Sequence, residues 1–341
     1  MTWDALVFTV LLKESNCMLN FIKDLFKRFA NHFGAVLISK VTYEKVLHQR
    51  KALFESLLSN SKNDLLPGTA CIIFSKDRPM QLYGLLDSYF RYVANPIPIT
   101  VIYSNKDKNQ KDAYLDVVQY FKKNQTKVDF INETDSFKEV LLETLSKIRE
   151  DKILFLVDDI IFIKPVDFDN FKKVNTKTHV LSLRHSPFLK KSFTTNTYHS
   201  PPLFKKFRFS DELQEFDWFE SGGEWSDPWS LDGQLLNTSE VLLISNCSNF
   251  RAPNSYEIAL KAFNDIVMSR KGLCFNESKI LNLPINRVQN EVNNISGNIS
   301  VGFLLDKWNQ GYCIDTSVFR EHVPLSTHED HPVKFIKRID A

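Results

Sequence analysis

Two adjacent aspartates, Asp158 and Asp159, lie between the apolar runs KILFLV and IIFIK. Carboxylates flanked by buried strands are costly unless they are paired with an opposite charge or coordinate a metal ion. A divalent cation that bridges these carboxylates and the oxygens of a diphosphate would neutralise them. The alternative is a solvated turn between two strands, because aspartate is common in turns.

A second candidate region, Phe216 to Gly233 (FDWFESGGEWSDPWSLDG), combines three of the five tryptophans with several carboxylates. Aromatic faces pack on the C–H-rich faces of sugar rings, and carboxylates accept hydrogen bonds from hydroxyls. The mixture predicts a carbohydrate site whose ring contacts are Trp218, Trp225 and Trp229. The alternative is that these rings fill the core beneath a long loop.

Two further groups carry possible chemistry. Asp232 lies in LDGQLLN, which we interpret as the start of a helix, where its simplest role is an N-cap or first-turn anion. Near the end of the chain, REHVPLSTHEDHP places His322, His328 and His331 within ten residues. A surface cluster is the plain interpretation of these histidines.

Strands and helices alternate along the residues that lead to the aspartate pair. Short apolar runs predict strands over 69–74, 97–103, 128–131 and 152–157. Amphipathic stretches predict helices over 79–93, 109–122 and 135–149. This order indicates an α/β fold with a doubly wound, mostly parallel sheet, helices on both faces, and ligands at the carboxyl ends of the strands. Residues 1–66 are predicted to be helical and residues 59–68 to form a linker.

Composition excludes several functional classes. The 341 residues carry 43 Lys+Arg and 41 Asp+Glu, a net charge of +2, which argues against a dedicated nucleic-acid binder. The ten glycines form neither G-x-G-x-x-G nor a P-loop, so glycine-loop nucleotide binding is not expected. Five cysteines without a C-x-x-C motif indicate neither a disulfide framework nor a zinc ribbon.

The N-terminal region has an amphipathic pattern over 18–33, with phenylalanines on one face and basic residues on the other. Such a helix could lie on an anionic membrane surface, or it could pack on the rest of the protein or on a second copy. No apolar run is long enough to span a bilayer, and residues 5–12 make a poor secretory signal. We expect a cytoplasmic protein, with the inner face of the cell membrane as one partner of residues 18–34 and a homodimer as another.

The segments CIIFSKDRPMQLYGLLDSYF, ITVIYSN and KILFLVDDIIFIKPVDF resemble the nucleotide-sugar half of GT-A fold glycosyltransferases. In that family a strand runs into a D-x-D type motif, which holds Mn²⁺ or Mg²⁺ on the diphosphate of the donor. Here the triplet is Val157-Asp158-Asp159, so the first acidic position is missing and Asp159 fills the last one. The resemblance implies that the base and ribose are surrounded by Phe74, Ser75, Arg78, Asn105 and Asp135. A surface salt bridge is the alternative role for Arg78.

The same resemblance implies a nucleotide-sugar half over 67–168 and an acceptor half over 169–341. In inverting members a carboxylate at a helix start is the general base, which implies that role for Asp232, with Glu224 and Asp227 as substitutes. A histidine from the C-terminal region often completes the metal shell, and we assign this role to His322.

The leading hypothesis is a metal-dependent, GT-A type glycosyltransferase that moves a sugar from a nucleotide donor to a glycan or glycolipid, as in polysaccharide biosynthesis. One alternative is a nucleotidyltransferase on a related sheet, although SKDRP has no glycine where such enzymes carry a glycine-rich loop. The other is a catalytically inactive scaffold whose helical N-terminus docks a partner.

Overall fold

The computed structural model divides near residue 62 into two units. It describes residues 40–60, 64–124, 127–134, 136–193, 195–288 and 295–338. The described part of the first unit is one helix, α1 (Lys40–Asn60), which confirms the helix predicted there. The amphipathic helix predicted over 18–33 lies outside the described residues. Within the described ranges, no helix has the length and apolar character needed to cross a bilayer.

The second unit is built from short strands and helices in alternation. Its helices are α2 (Pro79–Tyr92), α3 (Lys108–Asn124), α4 (Phe137–Lys147), α5 (Thr238–Cys247), α6 (Pro253–Lys261), α7 (Asn264–Val267) and α8 (Val301–Asn309). Its strands are β1 (Leu66–Lys76), β2 (Val93–Ala94), β3 (Ile99–Ser104), β4 (Val128–Asn132), β5 (Glu150–Val157), β6 (Ile160–Phe162), β7 (Val166–Asp167), β8 (His179–Ser182), β9 (Lys191–Ser192), β10 (Thr197–Tyr198), β11 (Lys205–Lys206), β12 (Leu213–Asp217), β13 (Gln234–Asn237), β14 (Lys271–Phe275), β15 (Ile280–Asn282), β16 (Tyr312–Ile314) and β17 (Phe335–Lys337).

Nine of these strands form the central sheet, in the order β11-β12-β14-β8-β13-β5-β1-β3-β4. In this sheet β12 and β13 run opposite to the other seven strands. The predicted fold class, an α/β fold with a mostly parallel sheet, is therefore confirmed. The pairing of β3, β1 and β5 in parallel brings their carboxyl ends to one edge, next to Asp158.

Helices cover both faces of the sheet, as β1 illustrates. Ile73 belongs to the large core that includes the buried leucines of α2. The next residue, Phe74, points to the other face, where its ring packs on Phe137 of α4 and Phe155 of β5. The ring centroids are 5.2 and 5.7 Å apart. Alternating residues of one strand thus serve two cores, because successive side chains of a strand point to opposite faces.

The structure corrects the helix predicted to start at Asp232. Asp232 and Gly233 form a turn, with Gly233 at φ +88°, and the chain then enters β13 between β5 and β8. A short apolar run fits a strand or a helix equally well from its pattern, and long-range pairing decides here for the strand. The helix that follows is α5, and its N-cap is Asn237, whose side chain accepts the N–H of Glu240 at 3.2 Å.

Gly272 tests how tightly the sheet packs. It lies opposite Phe216 in the β12–β14 register, and a Cβ at this position would overlap the buried Phe216 ring. We expect Gly272→Ala to destabilise the protein by about 1–3 kcal/mol. That corresponds to a fall in Tm of roughly 3–10 °C, measured by thermal unfolding.

Gly222→Ala is the matched control. A Cβ there meets no atom within 4 Å, and φ is −56°, which suits alanine. Equal Tm values for the two variants would contradict the packing argument.

Candidate functional site

A cleft of about 800 Å³ opens at the carboxyl ends of the parallel strands. One wall is made by the residues that close these strands: Ser75 and Lys76 of β1, Ser104 of β3, Val157 of β5, and the aspartate pair. The opposite wall comes from the later half of the chain. Its charged side chains are four acids, Glu224, Asp227, Asp232 and Glu257, and four bases, Arg184, Arg251, Lys261 and Arg287. The strand ends therefore gather candidate ligand groups at the edge where a parallel sheet is expected to bind them.

Arg78 lies between the two aspartates. Its Nη1 is 2.9 Å from Oδ1 of Asp158 and 2.8 Å from Oδ2 of Asp159, and its side chain is 9% exposed. Nε donates to Oδ1 of Asn286 at 2.9 Å, and Nη2 donates to the carbonyl of the same residue. The guanidinium is thus a buried member of the site that neutralises part of the acidic pair, and it does not form the surface salt bridge considered for it.

Asp158 is fully engaged by the protein. Besides Arg78, its carboxylate accepts the hydroxyl of Ser75 at 2.9 Å and the N–H of Lys76 at 3.1 Å. Burial raises the pKa of Asp158 against the opposing attraction of Arg78, and the neighbouring Asp159 adds to the rise. For Arg78, burial would lower the pKa, but the charges of Asp159 and Asp158 more than offset this and raise it. Arg78 is therefore the group whose charge limits the rise in the pKa of Asp158.

These contacts limit how a divalent cation could bind. Both oxygens of Asp158 are occupied, and Asp159, 14% exposed, is the member of the pair with more access to the cleft. Mg²⁺-like ions are often held by one or two carboxylates together with substrate phosphates and water. The donor set fits a divalent cation in that form, with Asp159 as the protein ligand and a diphosphate as the source of further oxygens.

Apolar and charged side chains adjoin the aspartate pair along the strand ends. Phe74, Ile102 and Phe137 line the cleft with apolar surface, and Lys106 and Glu133 follow β3 and β4. Asn105 does not line the cleft, since its amide is turned to the carbonyl of Asp107 at 3.2 Å. Asp135 lies outside the described residues.

The opposite wall centres on Arg184, which is 3% exposed. Its Nη1 donates to Oδ2 of Asp232 at 3.0 Å, and its Nη2 is 3.5 Å from Asp227. Lys261 pairs with Asp227 at 3.0 Å and with Glu257 at 2.6 Å. Asp232, Asp227 and Glu224 all line the cleft, so the structure brings the three predicted catalytic carboxylates into one network.

A chain of hydrogen bonds joins Glu224 to Asp232 through two residues from the end of the chain. The Thr327 hydroxyl donates to Glu224 at 2.7 Å and contacts Nδ1 of His328 at 3.0 Å. Nε2 of His328 is 3.4 Å from Oδ2 of Asp232. Because the Thr327 proton is used by Glu224, its oxygen accepts from Nδ1–H of His328. With Nδ1–H used in this way, Nε2 carries a hydrogen toward Asp232 only in the doubly protonated imidazole.

The carboxylates of this wall have pKa values that are shifted in different directions. Burial would raise the pKa of Asp232, but the hydrogen bond from His328 and the charge of Arg184 lower it below its usual range. The same balance, with Arg184 as the main opposing charge, lowers the pKa of Glu224. Burial raises the pKa of Glu257 although Lys261 is adjacent. Asp232 is thus an ionised carboxylate at neutral pH.

The three tryptophans predicted to bind an acceptor are part of the core. Trp225 and Trp229 have no exposed surface and Trp218 is 4% exposed. Trp218 and Trp225 pack on Phe216 with ring centroids 4.7 and 5.1 Å apart. Their faces are covered by protein, so the alternative role as core residues describes them, and the prediction of acceptor contacts needs correction.

His322 also lies elsewhere than predicted. Its Nε2 contacts Oε2 of Glu329 at 2.6 Å, and it does not line the cleft. The histidine that reaches the cleft is His328. Its segment is held there by backbone hydrogen bonds to β15. The N–H of Asn282 donates to the carbonyl of Thr327 at 3.3 Å, and the N–H of Glu329 donates to the carbonyl of Asn282 at 3.1 Å.

Several cleft residues were not predicted from sequence. Arg184 follows directly after the apolar run VLSL, so the rule that found the aspartate pair, a polar residue after a buried strand, could have found it as well. Asn286, Glu257 and Lys261 carry no such signal, and His328 belongs to the predicted histidine group, from which His322 was chosen.

No protein-family model matches the chain. Over 205 residues it is 25% identical to the bifunctional glycosyltransferase pgtA of Dictyostelium discoideum, and the match covers 52% of this chain and 25% of that relative. The match thus spans about a quarter of the relative's length. The chain is therefore similar, over about half of its own length, to part of a glycosyltransferase.

Two solved structures are also similar to the chain. TarS of S. aureus in complex with UDP-GlcNAc has a TM-score of 0.39 at 14% identity, covering 62% of this chain and 57% of that chain. The 4-diphosphocytidyl-2C-methyl-D-erythritolsynthase of Anaerococcus prevotii has a TM-score of 0.37 at 11% identity, covering 72% and 96%.

Removal of the Arg78 charge tests how much its buried ion pairs with Asp158 and Asp159 contribute to stability. In Arg78→Met two carboxylates lose their buried cation, so we expect a loss of stability of about 3–5 kcal/mol at pH 8 in denaturant unfolding. The raised pKa of Asp158 sets the sign of the pH effect. A group with a raised folded pKa contributes stability below its unfolded value, and this is lost as pH rises. The variant should therefore recover stability between pH 8 and pH 5.

Arg91→Met, in the same helical region, is the control. Arg91 pairs with Asp87 at 2.5 Å, but its side chain is 41% exposed, so the loss should stay below about 1 kcal/mol. A loss in Arg78→Met as small as in the control would show that the buried pair contributes little.

Proposed function

We propose that the chain is a glycosyltransferase that moves a sugar from a nucleotide-diphosphate donor to a hydroxyl of a glycan or glycolipid. The observation that supports it most is the pairing of two different walls in one cleft. One wall has cations and Asp159 at the strand ends, and the other has an ionised carboxylate network around Asp232. The partial sequence match to a glycosyltransferase supports the same reaction class.

The donor would bind along the strand ends. The apolar surface of Phe74 and Phe137 suits the base, and Lys76, Lys106 and Arg78 place positive charge along the same edge. Asp159 would hold Mn²⁺ or Mg²⁺ together with the diphosphate. Such an ion offsets the negative charge of the departing nucleoside diphosphate.

Asp232 is the carboxylate best placed to act as general base. Arg184 and His328 both contact its Oδ2, which fixes the carboxylate, and we assign proton abstraction from the acceptor hydroxyl to Oδ1. Both oxygens of Glu224 already accept hydrogen bonds, from Ser192 at 2.9 Å and from Thr327 at 2.7 Å. Glu224 and Asp227, which Lys261 holds, therefore act as supports of Asp232 in this proposal.

Donor binding is tested by thermal shift with UDP, GDP, CMP and dTDP, each with and without Mn²⁺. A ligand present at 100 times its Kd stabilises the native state by about 2.7 kcal/mol, which raises Tm by roughly 5–10 °C. Asp159→Ala should remove the part of the shift that depends on Mn²⁺. Asp129→Ala, an exposed aspartate of β4 outside the cleft, should keep it.

Two results would contradict the donor assignment. If no nucleotide changes Tm and no nucleotide sugar is hydrolysed, the glycosyltransferase proposal fails. If pyrophosphate is released from a nucleoside triphosphate and a sugar phosphate, the activity is that of a nucleotidyltransferase.

Asp232→Asn tests the base. The variant keeps the shape of the side chain, so we expect donor binding unchanged and transfer reduced by about 10²–10⁴-fold, the usual range for loss of a general base. In the wild type, the lowered pKa of Asp232 should place the acidic limb of the rate below the pH range in which an unperturbed aspartate titrates.

Asp217→Asn is its control. Asp217 lies on β12, outside the cleft, and pairs with Lys271 of β14. Loss of its charge should leave transfer unchanged. A fully active Asp232→Asn variant would exclude Asp232 as the base.

A further inference from the structure

A second group of potential metal ligands lies in the segment that follows α8 and β16. His322 and His331 both direct Nε2 at the same oxygen, Oε2 of Glu329, at 2.6 and 2.7 Å. The three ligand atoms lie within 4.8 Å of one another. None of the three residues lines the cleft, so the group is separate from the candidate donor and acceptor sites.

The surroundings hold these side chains in place. The other carboxylate oxygen of Glu329 accepts the N–H of Leu325 at 2.7 Å and that of Ser326 at 3.2 Å. The Phe319 ring packs edge-on against both imidazoles, with centroids 6.2 and 5.2 Å away. Oriented carboxylates and fixed imidazoles are typical of the environment of a metal ligand.

The histidines are each 29% exposed and Glu329 is 16% exposed, so water reaches the group. We propose that His322, Glu329 and His331 form a zinc site, with water as the fourth ligand. Two imidazole nitrogens and one carboxylate oxygen are a donor set that Zn²⁺ accepts in tetrahedral geometry. Mg²⁺ and Ca²⁺, which prefer oxygen ligands, fit it poorly.

Binding requires small rearrangements. Zinc takes ligands at about 2.0–2.2 Å, so the carboxylate would withdraw by less than about 1 Å from its present contacts with the imidazoles. Each imidazole binds as the neutral form, with its proton on Nδ1 and the Nε2 lone pair on the metal. The ion then replaces two hydrogen bonds by three coordinate bonds.

The site has a structural consequence for the cleft. Glu329 directly follows His328, and Thr327 and His328 reach Glu224 and Asp232. Zinc on Glu329 would tie this segment to His322, which precedes it, and so hold the two side chains in their places.

The test uses the full chain, stripped with EDTA and then incubated with ZnCl₂ at pH 7. We expect one zinc ion per chain after desalting, by elemental analysis, and the visible absorption of four-coordinate cobalt after Co²⁺ substitution.

Glu329→Gln keeps an oxygen for the two backbone N–H groups, so the fold should persist, which circular dichroism checks. In other sites, loss of a residue that only orients a ligand costs about 10–100-fold in affinity. Glu329→Gln and His331→Ala, which each remove a ligand, should weaken zinc at least about 100-fold.

His179→Ala is the matched control. His179 contacts Glu215 at 3.0 Å in the same way but without a second histidine, so its loss should leave zinc binding unchanged. The proposal is overturned if the stripped chain takes up no zinc, if Glu329→Gln and His331→Ala bind it as tightly as the wild type, or if His179→Ala loses it. None of these results depends on whether the chain transfers sugars.

Discussion

The arrangement of the cleft depends on one buried interaction, the guanidinium of Arg78 between Asp158 and Asp159. It joins the end of β1, the start of α2 and the end of β5, and through Asn286 it also holds a segment 208 residues further along the chain. Two carboxylates at the end of a buried strand need a cation. The chain supplies this cation itself, which leaves Asp159 as the acid with access to a ligand.

In the opposite wall, buried carboxylates are also paired with side-chain cations. Four carboxylates, Glu224, Asp227, Asp232 and Glu257, surround the cations Arg184 and Lys261. Arg251 and Arg287 line the cleft as well, so four side-chain cations balance these four carboxylates. The carboxylate of Asp232 is held there by Arg184 and His328, whereas the strand-end wall carries Lys76 and Lys106 beside the aspartate pair. The two walls therefore present different groups to the cleft.

The fold could be predicted to the extent that its signals are local. The alternation of apolar runs and amphipathic stretches predicted β1, β3, β4 and β5 and the helices between them, although not the two-residue strand β2. The position of Asp158 after a buried strand predicted the edge on which the cleft lies. Non-local pairing limited the rest. LDGQLLN forms a strand because β5 and β8 lie on either side of it, and Trp225 is core because other parts of the chain cover it. His328 reaches Asp232 through pairing with β15, which no local pattern encodes.

The scarcity of glycine has a structural counterpart at the end of β1. Asp77 adopts φ +54°, a conformation that glycine usually supplies, and its buried carboxylate accepts the N–H of Lys106 at 2.8 Å. Aspartate tolerates this region because its short side chain bonds locally. The turn therefore ties β1 to the end of β3 through a side chain, where a glycine loop would offer backbone N–H groups to phosphate. The backbone at this edge is already committed to the turn, so its positive charge comes from side chains such as Lys76, Arg78 and Lys106.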